Sequence, residues 1–341
     1  MSLSQGDHCN PVLAIDSMGV LYSAWQENTR GVWNVCLSVS ADGRNWSEPA
    51  MVAESDDNQV NPAIAAGALP GGLVALTWQS DAAGNQDICI ATSADGFATV
   101  VQVTIDPADQ TEPAVAIDGQ DTVVVLWTDS RNESSDIYGA ASTDEAWTNV
   151  PVVNIDSHQS QPAIAIAPMG GMLHMVWVDD IGGDADVFYA ASEGMPTSPL
   201  AGVDLIDDAS GAEQQSPAVA VTTGADGAER VLAGWVDARN GNADLYLADV
   251  SAGSLRANVL VDGEGLESDQ REVALGIGLC GNPYMVWTDD ASGMRQVYCS
   301  PAGSVEVASC EEEQGEPSAD PDAPEIHDSC PKRIPINAES A

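Results

Sequence analysis

Carboxylates and arginines recur at fixed distances from a tryptophan, and this is the pattern in the sequence that could do chemistry. An aspartate follows the tryptophan by two residues at Asp129, Asp179, Asp237 and Asp289. Two residues further on stand Arg131 and Arg239. A guanidinium beside a carboxylate can bind an anionic ligand or can brace a turn. The repeated position favours the turn, and Arg131 and Arg239 are also kept as candidate ligand-binding residues.

A second recurring group is an amide three residues before a proline. The copies are Gln59, Gln110, Gln159 and Gln214, with His8 and Asp269 at the corresponding places of the first and sixth copies. Such amides either bond backbone groups of their own or a neighbouring unit, or form a polar rim that holds a sugar, a peptide or a hydrated cation. Because glutamine cannot act as a base, the pattern favours binding over catalysis. The four glutamines and His158 are therefore candidate ligand-binding residues.

The densest local supply of carboxylates is the run Asp179, Asp180, Asp184 and Asp186. Calcium takes about 6–8 oxygen ligands, which such a loop could contribute in part. The spacing matches no strict calcium loop, so these residues are weak calcium candidates and no other cofactor is expected. The sequence contains no Gly-x-Ser-x-Gly, no phosphate-binding loop and no Cys-x-x-Cys pair. We therefore predict no catalytic residue.

The elements that carry these residues are copies of one unit. Six tryptophans end apolar runs at spacings of 49 to 58 residues: Trp25, Trp78, Trp127, Trp177, Trp235 and Trp287. Nine residues after each comes an Asp or an amide: Asn34, Asp87, Asp136, Asp186, Asp244 and Gln296. A period of this length is typical of solenoids, propellers and arrays.

Each copy contains four short apolar runs, separated by Gly, Asp, Asn, Ser and Pro, and none has helical spacing. We label the predicted strands a to d in chain order. The run before each tryptophan is apolar at consecutive positions, which implies burial on both faces. Stacked four-stranded blades meet this demand, so the sequence predicts an all-β, six-bladed β-propeller. The blades start near 11, 62, 113, 162, 217 and 272, in a propeller over 1–309 followed by an acidic, Pro-rich tail over 310–341.

Two motifs resemble those of a known family. Ser40-Ala-Asp-Gly-Arg-Asn-Trp46 resembles a shortened Asp-box, and Trp-x-Asp-x-Arg followed by Asp-Ile-Tyr resembles the repeats of bacterial sialidase-like (BNR-type) propellers. The resemblance implies that the Asp-boxes are structural turns remote from any active site. Sialidase activity would need three convergent arginines, an Asp and a Tyr–Glu pair.

The arginines that could share one face are Arg30, Arg131, Arg239 and Arg271. The repeated turn position of Arg131 and Arg239 argues against a convergent set, and we interpret Arg333-Ile-Pro as a chance match to the family's first-blade motif. The chain is thus identified as a non-catalytic sialidase-like propeller.

The acidic composition limits the classes of molecule that the protein is expected to bind. The chain has 53 acidic and 10 basic residues and a formal net charge of −43. Such a surface repels nucleic acid and anionic membranes, which excludes both as expected partners. The acidity fits a saline or extracellular setting, or a need to gather calcium. There is no transmembrane stretch, and residues 1–10 lack the apolar core of a signal peptide. We expect an exported bacterial protein, extracellular, periplasmic or on the cell surface, and a monomer.

The seven cysteines suggest packing and one disulfide. Cys36 and Cys89 take the place of Tyr138 and Tyr246 in other copies, which predicts buried packing residues. Cys310 and Cys330 bracket the Pro/Asp-rich tail and are the favoured disulfide pair, in keeping with export.

The sequence predicts a binding or scaffold domain with a glycan or protein ligand at the channel mouth. The alternative is a glycan-active hydrolase or lyase of the same fold that uses mouth carboxylates. A third option is a module that holds no small ligand.

Overall fold

The structure is a computed structural model. It describes residues 6–28, 31–143, 146–167, 171–200, 203–206, 211–223, 228–251, 258–261, 268–277, 282–289, 296–301 and 334–335. The chain divides into two compact units, Met1–Asp207 and Asp208–Ala341. The predicted boundary at 309/310, the tail, Cys310 and Cys330 lie outside the described residues and stay predictions.

Six antiparallel sheets account for the described secondary structure apart from the short 3-10 turn Ser93–Asp95. In every sheet four strands follow one another in chain order, so each sheet is an antiparallel meander. The third sheet carries an additional two-residue strand. This is the fold of a six-bladed β-propeller with four-stranded antiparallel blades, and the predicted fold class is confirmed.

Unit 1 contains blades 1 to 4. Blade 1 is formed by β1 (Asp7–Ile15), β2 (Leu21–Asn28), β3 (Trp33–Ser40) and β4 (Ala50–Ala53). Blade 2 is formed by β5 (Gln59–Ala66), β6 (Val74–Ser80), β7 (Asp87–Thr92) and β8 (Val101–Gln102). Blade 3 is formed by β9 (Gln110–Ile117), β10 (Val123–Asp129), β11 (Asp136–Thr143), the additional β12 (Ala146–Trp147) and β13 (Val150–Val153). Blade 4 is formed by β14 (Gln159–Ile166), β15 (Met172–Asp179), β16 (Asp186–Glu193) and β17 (Asp204–Leu205).

Unit 2 contains blades 5 and 6. Blade 5 is formed by β18 (Gln214–Thr223), β19 (Glu229–Asp237), β20 (Asp244–Asp249) and β21 (Val259–Leu260). Blade 6 is formed by β22 (Gln270–Ile277), β23 (Pro283–Asp289), β24 (Gln296–Pro301) and β25 (Ile334–Pro335). The fourth strand of blade 6 thus comes from a late segment of the chain, one of two origins that the sequence leaves open; the other, 304–307, lies outside the described residues.

The apolar b strands lie in the middle of the layers, as their unbroken hydrophobicity predicts. Every residue of β6 and β10 is buried. One apolar cluster joins blades 2 and 3 around Trp127, and another joins blades 5 and 6 around Trp287. Because adjacent sheets cover each other, the core of each unit lies between its blades rather than inside any one of them.

Every a strand has a β-bulge at the same place. The register of the a–b pairing shifts there in all six sheets. At each bulge a residue other than glycine has a positive φ between 50° and 57°: Asn10, Asn61, Glu112, Gln161, Ser216 and Glu272. In five blades the next residue is proline, whose missing N–H suits a bulge.

The bulge corrects the alignment of the sixth copy. The sequence suggests Glu272 at the proline place and Asp269 at the glutamine place. In the structure Glu272 is the bulge residue, so Val273 takes the proline place. Gln270 pairs with Asp289 as Gln110 pairs with Asp129, so Gln270 is the equivalent amide.

The Asp-box-like segment of blade 1 is a turn, as expected. Asp42 accepts hydrogen bonds from the backbone N–H groups of Asn45 (2.7 Å) and Arg44 (2.9 Å). These bonds, with that from Asn45 first, lower the pKa of the Asp42 carboxyl well below its usual range. Within the described residues, no helix has the length and apolar character needed to cross a membrane.

Candidate functional site

The first strands of blades 1 to 4 lie side by side in unit 1, because β1 contacts β5, β5 contacts β9 and β9 contacts β14. They form the inner wall of this unit. The four bulge residues on this wall are Asn10, Asn61, Glu112 and Gln161, and we call them the bulge belt. Asn10 is exposed and the other three are half-buried. The belt therefore presents a row of polar side chains to solvent.

Hydrogen bonds through the belt connect blade 1 to blade 2. Gln26, which follows Trp25, is buried, and its Oε1 accepts from Asn10 Nδ2 at 3.1 Å and from the backbone N–H of Asn61 at 2.9 Å. Asn10 Nδ2 also donates to Asn61 Oδ1 at 2.9 Å. The amide of blade 1 thus satisfies a backbone group that the bulge of blade 2 leaves outside the sheet.

The same connection recurs twice along the wall. Gln79 Oε1 accepts from Asn61 Nδ2 at 2.5 Å and from the backbone N–H of Glu112 at 2.9 Å. In the next blade, Glu112 Oε2 accepts from Thr128 Oγ1 and from the backbone N–H of Gln161, each at 2.8 Å. Non-glycine residues with positive φ persist only where the surroundings fix them, and these bonds do so.

The four predicted glutamines do not form a solvent-exposed polar rim. Gln59, Gln110, Gln159 and Gln214 are all buried, at 3% exposure or less. Gln59 Oε1 accepts from the Trp78 indole N–H at 2.6 Å, and Gln159 Nε2 donates to the Ser157 carbonyl at 2.8 Å. Gln110 makes the equivalent bond to the Ala108 carbonyl at 2.6 Å. In the structural alternative each glutamine bonds backbone groups of its own or a neighbouring blade. The bonds of Gln110 and Gln159 are of this kind, whereas Gln59 also bonds a side chain.

The two candidate arginines are held by aspartates of their own hairpins. Arg131 donates from Nε to Asp129 Oδ1 at 2.8 Å and from Nη2 to Oδ2 at 2.6 Å, and its guanidinium lies 4.2 Å from the centre of the Tyr138 ring. Hydrogen bonding to Asp129 raises the pKa of Arg131 above its usual value.

Blade 5 repeats the arrangement. Arg239 Nη2 donates to Asp237 Oδ2 at 2.5 Å, and the guanidinium lies 4.1 Å from the centre of the Tyr246 ring. Asp129 and Asp237 are 0% exposed, so neither carboxylate can receive a ligand in this conformation.

His158 takes a place between blades that asparagine and aspartate take elsewhere. Its Nδ1 accepts from the backbone N–H of Ser135 at 3.2 Å, across the junction of blades 3 and 4. Asn58 and Asp109 accept from Trp33 and Gln86 in the same way at the two earlier junctions. The histidine is exposed, and its role here is to join two blades.

The calcium candidates do not converge. Asp179 Oδ1 accepts from Ser157 Oγ at 2.7 Å, and Asp180 Oδ1 accepts from the backbone N–H of His158 at 2.7 Å. Asp186 is buried at the start of β16, and Asp184 is in the preceding turn. Within the described residues, no group of three or more His, Cys, Asp or Glu side chains is arranged to hold a metal ion.

Two buried carboxylates at the b–c hairpins of unit 1 have raised pKa values. Burial raises the pKa of Asp136, and of Asp87 at the same place in blade 2. Asp136 Oδ2 accepts from Asn132 Nδ2 at 2.5 Å, whereas its Oδ1 is buried with no hydrogen-bond partner. Since Asp136 is 1% exposed, its raised pKa indicates a cost of burial rather than an acid facing substrate.

We expect Asp136→Asn to stabilise the protein at pH 8. A carboxyl whose pKa is raised on folding destabilises the native state above its folded pKa, and this cost disappears as pH falls below its unfolded pKa. The neutral amide should therefore raise the free energy of unfolding by about 0.5 kcal/mol or more at pH 8 and by nothing near pH 3. Urea unfolding across this range measures the difference. Asp56→Asn, which neutralises an exposed carboxylate, is the control, and an equal gain there would contradict the prediction.

The cysteines of β3 and β7 are packing residues, as predicted. Cys36 pairs with Trp25 and Cys89 with Trp78, at the place where Tyr138 pairs with Trp127. Burial raises the pKa of Cys36 to about 12 and that of Cys89 to about 11. Such thiols stay protonated and do not act as nucleophiles at neutral pH.

No repeated motif marks the bulge belt in the sequence. The prolines recur, but the residues before them differ in every blade except the first two. The available signal was an Asn, Gln, Glu or Ser before each of the five prolines. Polar residues before proline at a repeated place are consistent with a bulge.

Solved structures provide the remaining comparison, since no protein-family model and no curated protein matches the chain. A protein of unknown function from Dyadobacter fermentans superposes with a TM-score of 0.58 at 13% identity, over 88% of this chain and 92% of that one. The α-L-arabinofuranosidase Arb93A from Fusarium graminearum gives 0.58 at 16% identity, over 85% and 91%.

A leech intramolecular trans-sialidase gives a TM-score of 0.59 at 12% identity, over 82% of this chain and 64% of that one. At these identities the likeness shows the fold alone: this chain has the sialidase-like propeller fold.

Proposed function

On this sialidase-like scaffold, we propose that the chain is a glycan-binding propeller domain that receives a neutral or cationic sugar chain along the bulge belt. One observation carries the proposal. Four polar side chains of the inner wall that are exposed or half-buried, Asn10, Asn61, Glu112 and Gln161, are placed by the positive φ of the bulges. Amide groups both donate and accept, as sugar hydroxyls do, so such a row matches a glycan.

The charge of the protein and the state of its arginines favour a ligand that is not anionic. The net charge of −43 disfavours the approach of anions. In the described part of the chain, Arg131, Arg239 and Arg271 each form an ion pair with an Asp two residues away in sequence. A carboxylate-bearing sugar such as sialic acid would need these guanidinium groups released.

Hydrolysis is the second candidate function, because the fold is shared with an arabinofuranosidase and sialidases. Glycosidases generally place two carboxyl groups on either side of the bond that breaks. The hairpin carboxylates Asp129, Asp136 and Asp179 are at most 1% exposed and cannot reach a substrate in this conformation. Binding is therefore the function that the geometry supports better.

The proposal is tested with a glycan array on the full chain, followed by calorimetric titration of each binder. Asn61→Gly removes one belt amide, and glycine accepts the positive φ at this place. We expect affinity for the bound glycan to fall at least about tenfold, the loss of roughly one good hydrogen bond in a partly buried site. Asn45→Ala, which removes an exposed amide from the c–d turn of blade 1, is the matched control and should change nothing.

Two outcomes would overturn this function. One is the absence of any neutral or cationic glycan among the binders. The other is cleavage, detected by mass spectrometry of the glycans after incubation and abolished by changing a single carboxylate.

A further inference from the structure

Glu112 is the one acid among the four belt residues. The hydrogen bond by which it connects two blades does not need a negative charge. It accepts the backbone N–H of Gln161, a bond that joins blades 3 and 4. At the two earlier junctions the neutral amides Gln26 and Gln79 accept the equivalent N–H groups, of Asn61 and Glu112, at 2.9 Å each. Gln26 and Gln79 lie on the b strands rather than at the bulge, but they show that the bond to this N–H does not require a carboxylate.

One oxygen of the Glu112 carboxylate is held by hydrogen bonds of the protein, and the other is available to a ligand. Both bonds that it accepts, from Thr128 Oγ1 and from the backbone of Gln161, end on Oε2. No hydrogen bond within the described residues involves Oε1. Its backbone is held at a φ of 54°, so the side chain starts from a fixed direction at the bulge.

No positive charge of the protein neutralises Glu112 within the described part of the chain. Arg131, on the adjacent b–c hairpin, is engaged with Asp129 and Asp106 instead. A carboxylate that has no counter-charge in the protein can pair with a cation of a ligand. A ligand carrying an ammonium group would supply that charge and a donor for Oε1.

We propose that Glu112 forms a subsite for an ammonium group, so that the glycan this domain prefers carries a free amine, as an amino sugar does. The inference rests on the proposed glycan-binding function and adds its specificity. The neighbouring amides Asn61 and Gln161 then contact the hydroxyls of the same chain. The amino group is selected over its acetylated form, because acetylation removes the charge and two of the donors.

The test compares a chitosan hexamer with the chitin hexamer, which has the same linkage and length but acetylated amines. Titrations are run at about pH 5.5, where an ordinary carboxyl is ionised, and at about 0.15 M salt, where distant charges are screened. We expect the wild type to prefer chitosan, and Glu112→Gln to lower chitosan affinity about tenfold, as for one charged hydrogen bond. Affinity for the chitin hexamer should not change.

A matched control separates the subsite from general attraction between an acidic protein and a polycation. Glu48→Gln removes the same charge from an exposed place on the c–d turn of blade 1 and should leave chitosan affinity within about twofold, because screening weakens a charge this far from the subsite. The melting temperature of Glu112→Gln should match that of the wild type, because the amide oxygen keeps both accepted bonds. Should that variant not fold, Glu112→Asn copies the residue at the bulges of the first two blades.

Each result decides the inference. Equal losses in Glu112→Gln and Glu48→Gln, equal binding of the two hexamers, or no binding of chitosan would overturn it. If other neutral glycans still bind the wild type in any of these cases, the ammonium subsite is wrong while the glycan-binding function stands. If no glycan binds at all, both are wrong.

Discussion

Asp129→Ala should lower the free energy of unfolding by about 3 kcal/mol, because it removes the nearer counter-ion of a partly buried guanidinium. Asp129 is 0% exposed and accepts four hydrogen bonds. One comes from the Trp127 indole N–H at 2.8 Å, and three come from Arg131, through its backbone N–H, Nε and Nη2, at 3.0, 2.8 and 2.6 Å. Removing the carboxylate therefore leaves the indole N–H without its acceptor, and leaves the guanidinium with only the more distant Asp106 carboxylate, at 3.7 Å. Urea unfolding followed by tryptophan fluorescence measures the loss.

The double variant Asp129→Ala with Arg131→Met tests the cause. It removes the charge together with its partner, so it should recover at least about half of the loss, as expected when both members of a buried pair are replaced. A second control is Ser80→Ala, at the equivalent place in blade 2. Ser80 Oγ accepts from Gln59 Nε2 at 3.0 Å and no arginine is paired with it, so the cost should be about 1 kcal/mol. A double variant no more stable than the single one would show that the ion pair is not the source of the loss.

This pair also shows why a motif that looks chemical is structural. Trp127 and Asp129 lie two residues apart in β10, so the strand directs them to the same face, and Arg131 follows in the hairpin loop. Side chains on one face of a hairpin are close enough to bond each other, and are then not available to a ligand. The Arg131 guanidinium accordingly lies between the Asp129 carboxylate and the Tyr138 ring. Repetition of the motif in blade 5 was the sign that its role is local.

Much of the fold could be predicted from the sequence, because the repeat sets it. The tryptophans predicted the b strands, and their constant distance to the next Asp or amide predicted the b–c hairpins. In the structure this distance is the register of the hairpin, since Asp129 pairs with Asp136 and Asp237 with Asp244. Hydrophobicity at consecutive positions then required neighbours on both faces, which a propeller provides.

The site could not be predicted in the same way. The belt depends on a backbone feature, the bulge, and on residues that vary from blade to blade, so periodicity does not reveal it. The glutamines that periodicity did reveal are buried, since a residue that recurs in five of the six blades meets a structural need that those blades share. Gln59 and Gln159 both meet such a need by bonding groups of their own blade.

The sixth copy shows that aligning the repeats by residue type alone can misplace a strand by one residue. Without its proline, the sequence could be aligned one residue out of place, and one residue reverses the face of a strand. The positive φ of Glu272 and the pairing of Gln270 with Asp289 settle the register. Backbone conformation carried information here that residue type did not.

Trp127→Ala should destabilise the protein by about 3–5 kcal/mol, the range for truncating a fully buried aromatic side chain. Trp127 is 0% exposed and packs in the cluster that joins blades 2 and 3, with Ile88, Val103 and Tyr138. The cavity would therefore open at a junction between blades, and Asp129 would lose the indole donor as well.

Phenylalanine separates the two contributions. Trp127→Phe keeps much of the volume but removes the bond to Asp129, whereas Trp177→Phe removes an indole N–H that has no hydrogen-bond partner in the described structure. We expect the first to cost about 1 kcal/mol more than the second. Differential scanning calorimetry of the three variants and the wild type measures both quantities. An equal cost for the two phenylalanine variants would mean that the indole bond contributes nothing, and a loss below about 1 kcal/mol for Trp127→Ala would mean that the blades are not held together by this cluster.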